Sequence, residues 1–281
     1  MYNVFVLCYI KRYYNLGSGM DKKNLLDRAA HSAEERVLLA HVLDKCELCL
    51  TRNVPAHTDF LSPAELRGAE ELLRAASVHG GWTALGGYEG AERKVLCFLP
   101  AWQEEPDADD VLAALRVQWH ETDEPGHRDL LGSLTALGVA RSKLGDILIS
   151  PRSADVIVCS DIADYLAHEW DRAGRVKLHV RRITTDALEV PERRVRTIRD
   201  TVATLRLDAV ASSGFGMSRG KAAELIASGR VQLNHRETAK PDAPVRAGDV
   251  VSARGVGKFI LAEVGGQSKK GRTAILIERF I

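Results

Sequence analysis

The segment from Leu205 to Val251 constrains the fold more tightly than any other stretch of the chain. In LRLDAVASSGFGMSRGKAAELIASGRVQLN, Arg206 to Ser213 reads as a short helix broken by Gly214 and Gly216. Ser218 then caps a second helix that runs through Ala227. Two helices are therefore predicted to meet across a glycine turn. On the second helix Ala222, Leu225, Ile226 and Gly229 fall at i, i+3, i+4 and i+7, one stripe for a core, while Arg219 and Lys221 flank that stripe near the N-terminus. Cationic side chains and unpaired N–H groups thus gather at one helix start, an arrangement that attracts anionic oxygens. After Gly229 the pattern changes to a strand, RVQLN, a loop through Lys240 and Pro241, a turn at Ala247 to Asp249, and the strands VVSAR, KFILAEV and AILIERF. The sheet fixes where the helices point.

Charge is unevenly placed along the 281 residues, although the formal net charge is only +1. From Arg175 onward there are 21 Lys and Arg against 11 Asp and Glu, whereas residues 1–174 hold 18 against 27. A basic back and an acidic front suit a polyanion-facing half and a solubilising half, and a solvated charged surface would account for the asymmetry equally well. With 45% apolar and 27% charged residues, the chain can bury the cores of two or three domains.

The five cysteines are odd in number, and Cys97 and Cys159 sit in apolar runs that read as buried strands. This points to a reducing, cytoplasmic location. Cys46 and Cys49, with His41 and His57 nearby, make only half a zinc signature, so neither a metal nor another cofactor is expected. The opening MYNVFVLCYIKRYY has seven consecutive apolar or aromatic residues, too few to span a bilayer, and its basic residues lie on the wrong side for a leader. No membrane is expected as a partner. Met20 begins a clean helical pattern, and residues 1–19 are expected to be an extension preceding the native start.

The predicted fold class is α+β. Residues 20–79 read as a helical N-terminal domain, with Leu25, Leu26, Ala29, Val37, Leu38 and Ala40 at helical spacing and a serine cap with following proline in SPAELRGAEELLRAA. Residues 80–184 read as a central split βαβ-like domain, with strands KVLCFLP, LRVQWHE, GDILIS, DVIVCS and VKLHVRRI. Helices are expected near Asp109 to Leu115, His127 to Leu137 and Ile162 to Ala173. In TALGVARSKLGDI, Arg141 and Lys143 on one loop are a candidate phosphate site, with ordinary surface as the competing reading. Residues 185–200 read as a basic linker. Arg193, Arg194, Arg196, Arg199 and Arg206 form a like-charge cluster that is costly unless anions lie alongside. Residues 201–281 complete the C-terminal domain.

The C-terminal pattern resembles the S-four (alpha-L) RNA-binding domain. The match is carried by RLD at 206–208, SRGKAAELI at 218–226, GRVQLN, Lys240-Pro241 and Gly248-Asp249. The resemblance implies that Arg206, Ser218, Arg219, Lys221, Arg230, Asn234 and Lys240 contact folded RNA, with Asp208 orienting Arg206. His235 departs from the family, which often has glycine or tryptophan there.

Further matches, GVARSKLGDI, DIADYLAHEW, AGRVKLHV and FILAEVGGQSKKGR, make residues 20–281 similar to the bacterial YlmH (RqcP) family. That likeness implies a central RNA-binding domain and, as partners, rRNA of the large ribosomal subunit, tRNA and other quality-control factors. The implied role, for a monomer, is ribosome-associated quality control of stalled peptides. The alternative is a cell-division adaptor with no RNA-dependent role. No enzyme is expected: RLDAVASSG is superficially like a pseudouridine synthase stretch, but Leu205 replaces its histidine and only 73 residues follow Asp208. GGWTALGGYEG lacks the spacing of a cofactor-binding glycine loop.

Overall fold

A computed structural model describes residues 22–192, 195–268 and 271–281. The expectations for residues 1–19, Cys8, Met20, Arg193 and Arg194 lie outside these described residues. The chain divides into two compact units, the first ending at Pro191 and the second beginning at Glu192. No helix among the described residues is long and apolar enough to cross a membrane.

The first unit opens with α1 (Lys22–Ala29), α2 (Ala33–Arg52), β1 (Ala56–Leu61), α3 (Pro63–Ala75), β2 (Trp82–Leu85) and β3 (Lys94–Phe98). The Ser32 hydroxyl caps α2 by accepting the Glu35 N–H, and Ser62 and Glu65 close a reciprocal capping box on α3, with Pro63 in its first turn. Leu39, Leu43, Cys46 and Cys49 of α2 share one core with Leu72 and Leu73 of α3 and with Leu96 and Phe98 of β3. The two thiols of the CxxC are thus core groups, and burial pushes Cys46 up to about 12 and Cys49 up to about 11.

This part is not purely helical. The strands form a sheet in the order β1-β3-β2, so Lys94–Phe98, assigned on sequence to the central domain, is the middle strand of the first sheet. The apolar faces of α2 and α3 need a surface to cover, and this sheet supplies it.

The same unit continues with α4 (Ala108–Val111), β4 (Leu112–Gln118), α5 (His127–Ala136), β5 (Leu144–Ser150), β6 (Ser153–Cys159), α6 (Ala163–Glu169), the short hairpin β7 (Arg172–Ala173) and β8 (Val176–Lys177), and β9 (His179–Ile183). The helix expected near Asp109 to Leu115 is only one turn long. Leu112 to Leu115 are all buried because β4 is a central strand covered on both faces, and such a run shows no alternation to read. The antiparallel order β5-β6-β4-β9 places β6 between β4 and β5, which α5 connects. That is the split βαβ arrangement expected.

One face of this sheet packs under α5 and α6 through Leu130, Leu134, Leu166 and Trp170. On the opposite face Leu112, Ile157 and Cys159 meet Phe60, Val95 and Cys97 of the first sheet. Gly145 permits this approach, since a Cβ there would lie 2.8 Å from the Phe60 ring.

The second unit contains β10 (Val195–Val202), α7 (Leu207–Phe215), α8 (Arg219–Ala227), β11 (Val231–Leu233), β12 (Arg236–Glu237), β13 (Val250–Ala253), β14 (Gly257–Gln267) and β15 (Thr273–Phe280). Its sheet runs β10-β15-β14-β13-β11-β12. The expected linker therefore ends in a strand: β10 pairs with β15 from Val195 opposite Phe280 to Val202 opposite Thr273. Val195, Thr197, Ile198, Thr201 and Val202 are β-branched, and this strand preference is masked in the sequence by the arginines between them.

Leu207, Val210, Phe215, Ala222 and Ile226 of the helix pair pack on Val251, Phe259, Leu261 and Ile277 of the sheet. Gly216, at φ 68°, ends α7, whereas Gly214 lies within it. A Cβ on Gly214 would fall 2.4 Å from the Phe259 ring, which itself meets Phe215 edge-on at 4.9 Å. Gly214→Ala is accordingly expected to destabilise the second unit by about 1–3 kcal/mol through overpacking. The reading is hydrogen-exchange protection of α7 and β14, and unchanged protection would refute this role for Gly214.

Candidate RNA-binding site

The candidate site is built where α7 and α8 begin. The Leu207 N–H donates to the Ala243 carbonyl at 2.8 Å and the Asp208 N–H to the Pro241 carbonyl at 2.9 Å, so the start of α7 is tied to the loop after Lys240. Val245 N–H to Leu205 O at 2.8 Å and the Arg206–Pro244 bridge hold the preceding backbone. The start of α8 is capped by the Ser218 hydroxyl, which accepts the Lys221 N–H at 3.3 Å.

Between these two helix starts lies the Asp208 carboxylate, 8% exposed, with guanidinium groups on it from both sides. Arg206 donates from Nε and Nη2 at 3.3 Å each. Arg219 donates from Nε at 3.1 Å and from Nη2 at 3.0 and 3.1 Å. Burial works against the charged carboxylate, but the hydrogen bonds from Arg206 and Arg219 outweigh it and hold the group below its ordinary value. The two arginine side chains remain 43% and 52% exposed. One buried anion therefore fixes two cations that still face water, and Asp208 itself is committed to them.

Of the other sequence-predicted contacts, Lys221, Arg230 and Lys240 are exposed. Arg230 Nε donates to the Ser228 hydroxyl at 3.2 Å, beside a cleft lined by Gln232, Glu237, Ser252 and Arg254. Asn234 serves the scaffold: its Nδ2 donates to Asp249 at 2.7 Å and its Oδ1 accepts the Val250 N–H at 2.9 Å. Asn234 and His235 both have positive φ, 53° and 64°, and form the tight turn between β11 and β12. That backbone explains why glycine suits position 235.

Arg141 and Lys143 belong to the first unit and do not join this cluster. Arg141 Nη1 donates to the carbonyls of Leu144 and Gly145 at 2.7 and 3.3 Å. Lys143 Nζ is paired with Asp59 at 2.9 Å and Asp161 at 2.7 Å. Burial lowers the Lys143 pKa, but the bonds to Asp161 and Asp59 outweigh it, and the net direction is up. This loop clamps the two sheets of the unit together, with help from Arg93, which donates to Leu144 O at 2.8 Å and Phe60 O at 3.0 Å. Sequence reading missed Arg93, because nothing local distinguishes it from a surface arginine. It likewise missed the Arg219 contact to Asp208, eleven residues away on another helix.

Comparison with known proteins places these units. Family models match at residues 34–100 (YlmH, N-terminal), 121–187 (putative RNA-binding domain in YlmH) and 205–251 (S4 domain). The ribosome-associated protein quality control protein P2 of Bacillus subtilis (strain 168) is 34% identical over 223 residues, spanning 79% of this chain and 86% of the relative. The chain belongs to the YlmH family. The solved structure titled cell division protein ylmH, from Streptococcus pneumoniae, aligns with 57% of this chain and 98% of its own at 18% identity and a TM-score of 0.46. The YlmH N-terminal match takes in the whole β1-β3-β2 sheet, and the S4 match contains every C-terminal site residue from Arg206 to Lys240.

Because the folded Asp208 pKa is depressed, its stabilisation is complete above the unfolded value of 3.8 and is lost as pH falls through the folded one. The urea midpoint of the second unit, followed by its methyl resonances, should therefore fall as the pH is lowered below about 3.8. Asp208→Asn should lower the midpoint at neutral pH and flatten that acid limb. An unaltered limb would remove the carboxylate from this role.

Proposed function

We propose that this YlmH-family protein binds structured RNA through its S4 unit, on the large ribosomal subunit and tRNA, in ribosome-associated quality control of stalled peptides. It acts as a cytoplasmic monomer without an enzymatic step. The observation that carries this reading is the Asp208 carboxylate holding Arg206 and Arg219 half-exposed at the paired helix starts. Folded RNA presents a fixed array of phosphates, and cations already immobilised in the free protein lose little freedom on meeting it. The proposed contact set is Arg206, Ser218, Arg219 and Lys221, extended by Arg230 and Lys240. Asn234, Arg141 and Lys143 support the scaffold instead. The ribosomal destination is supported by the name of the Bacillus subtilis relative.

Arg219→Ala with Lys221→Ala is expected to leave the fold intact, weaken RNA binding and lower the slope of log affinity against log salt by roughly one to two units. An unchanged slope would exclude these residues from the interface. In a lysate gradient at low salt the protein should sediment with large ribosomal subunits. Recovery of all of it at the top would count against the ribosomal assignment.

A further inference from the structure

We propose that the first unit has its own RNA-contact surface, the basic edge made by the β7–β8 hairpin and β9, and that it grips the phosphate backbone rather than stacking bases. This deepens the RNA-binding reading above and rests on it.

The usual alternative can be set aside on geometry. Split βαβ sheets that read RNA do so with aromatic side chains on the middle strands of an open face. Here the middle strands are β4, LAALRVQ, and β6, SADVIVC, and neither carries an aromatic residue. One face lies under α5 and α6, and on the other Leu112, Ile157 and Cys159 are covered by β1 and β3. The stacking platform is absent, and much of its place is occupied.

The edge is different in kind. From Arg172 to Ile183, RAGRVKLHVRRI, there are five Arg or Lys, one His and no acid. Arg172, Arg175, Lys177, His179, Arg181 and Arg182 are all exposed. β9 is one of the two edge strands of its sheet. Cations also face one another across the ladders, Arg172 opposite Lys177 and Arg181 opposite Arg116, pairings that cost stability unless compensated.

Some are compensated. Arg116 is held by Asp155 at 2.7 Å and Glu189 at 2.8 Å, Arg182 by Asp164 at 3.1 Å, and Arg172 by Asp171 at 3.5 Å. Among the described residues no carboxylate pairs with Arg175, Lys177 or Arg181. Nor is the edge a loose loop. Ala173 and Leu178 are buried in the core with Trp170, the Leu178 N–H donates to Asp171 O at 2.8 Å, and Gly174 at φ 60° sets Arg175 at the hairpin tip. Three uncompensated cations thus stand on a fixed scaffold inside the segment that matches the putative RNA-binding domain of YlmH.

A charged edge strand also discourages pairing with other chains, and the test separates that role from RNA contact. The full chain carrying Arg175→Gln, Lys177→Gln and Arg181→Gln is compared with wild type and with Arg219→Ala/Lys221→Ala. The probe is a fluorescein-labelled RNA hairpin with a single-stranded tail, titrated across a salt series. The edge variant should bind more weakly at every salt concentration, with a slope lower by about two to three units, and its loss should add to that of the S4 variant.

A wild-type slope in the edge variant, while the S4 variant has lost affinity, overturns the edge and leaves the S4 reading standing. Aggregation of the edge variant with unchanged binding in the soluble fraction assigns the charges to edge protection and also overturns it. Failure of the wild-type chain to bind the probe removes both readings. Should the triple variant not fold, Arg175→Gln alone, at the turn, should lower the slope by about one unit, and no change there overturns the proposal.

Discussion

The Asp208 carboxylate beneath Arg206 and Arg219 is the interaction on which the candidate site depends. Two guanidinium groups brought to adjacent helix starts repel one another and would swing apart into water. A single carboxylate, kept charged by their five donated hydrogen bonds, makes the juxtaposition stable and sets the direction of each fork. The carboxylate can sit there because α7 is held at both ends. Its first N–H groups bond to the 241–243 loop, and Arg279 donates to Phe215 O at 3.1 Å near its last turn. The sheet, the loop and the helix pair thus converge on the placement of one anion.

A comparable logic organises the first unit, with charges turned inward. Two sheets pack face to face through Phe60, Val95, Ile157 and Cys159, and the polar groups at the margin of that seam need partners. Lys143 between Asp59 and Asp161, Arg93 on the carbonyls of Phe60 and Leu144, and Asp146 accepting the Tyr88 hydroxyl at 2.9 Å and the Glu92 N–H at 2.7 Å supply them. The loop that reads as a candidate phosphate site has its two cations bonded within the unit, Lys143 to two carboxylates and Arg141 to two carbonyls.

What was legible in the sequence follows the range of the interactions involved. Ser32, Ser62 and Ser218 act on N–H groups three residues away, so each cap could be read from its neighbours. The split βαβ order and the helix pair were likewise accessible, because strand and helix periods alternate over short connections. The middle position of β3 in the first sheet was not, since it depends on pairing with β1 more than thirty residues earlier. Gly214 read as a helix breaker because its reason, the Phe259 ring, lies 45 residues downstream. The bonds of Asn234 to Asp249 and Val250 were not legible either, since these partners lie fifteen and sixteen residues away.

Charge was the most visible signal and the least discriminating. The surplus of cations from Arg175 onward is real, yet a basic residue becomes available to an anion only when no carboxylate or carbonyl has already claimed it. Arg279 is engaged with the carbonyls of Phe215 and Val256, and Arg272 donates to the Thr201 hydroxyl at 2.9 Å. Each of these raises the count of positive charge without enlarging an interface. The cations that remain divide into two kinds: those whose side chains are held by a buried anion, as at Asp208, and those carried unpaired on an ordered backbone, as at the β7–β8 turn. The first kind keeps its geometry only while its carboxylate stays ionised, whereas the second has no carboxylate to depend on. Two surfaces with similar charge would therefore respond differently to pH, although salt would screen both alike.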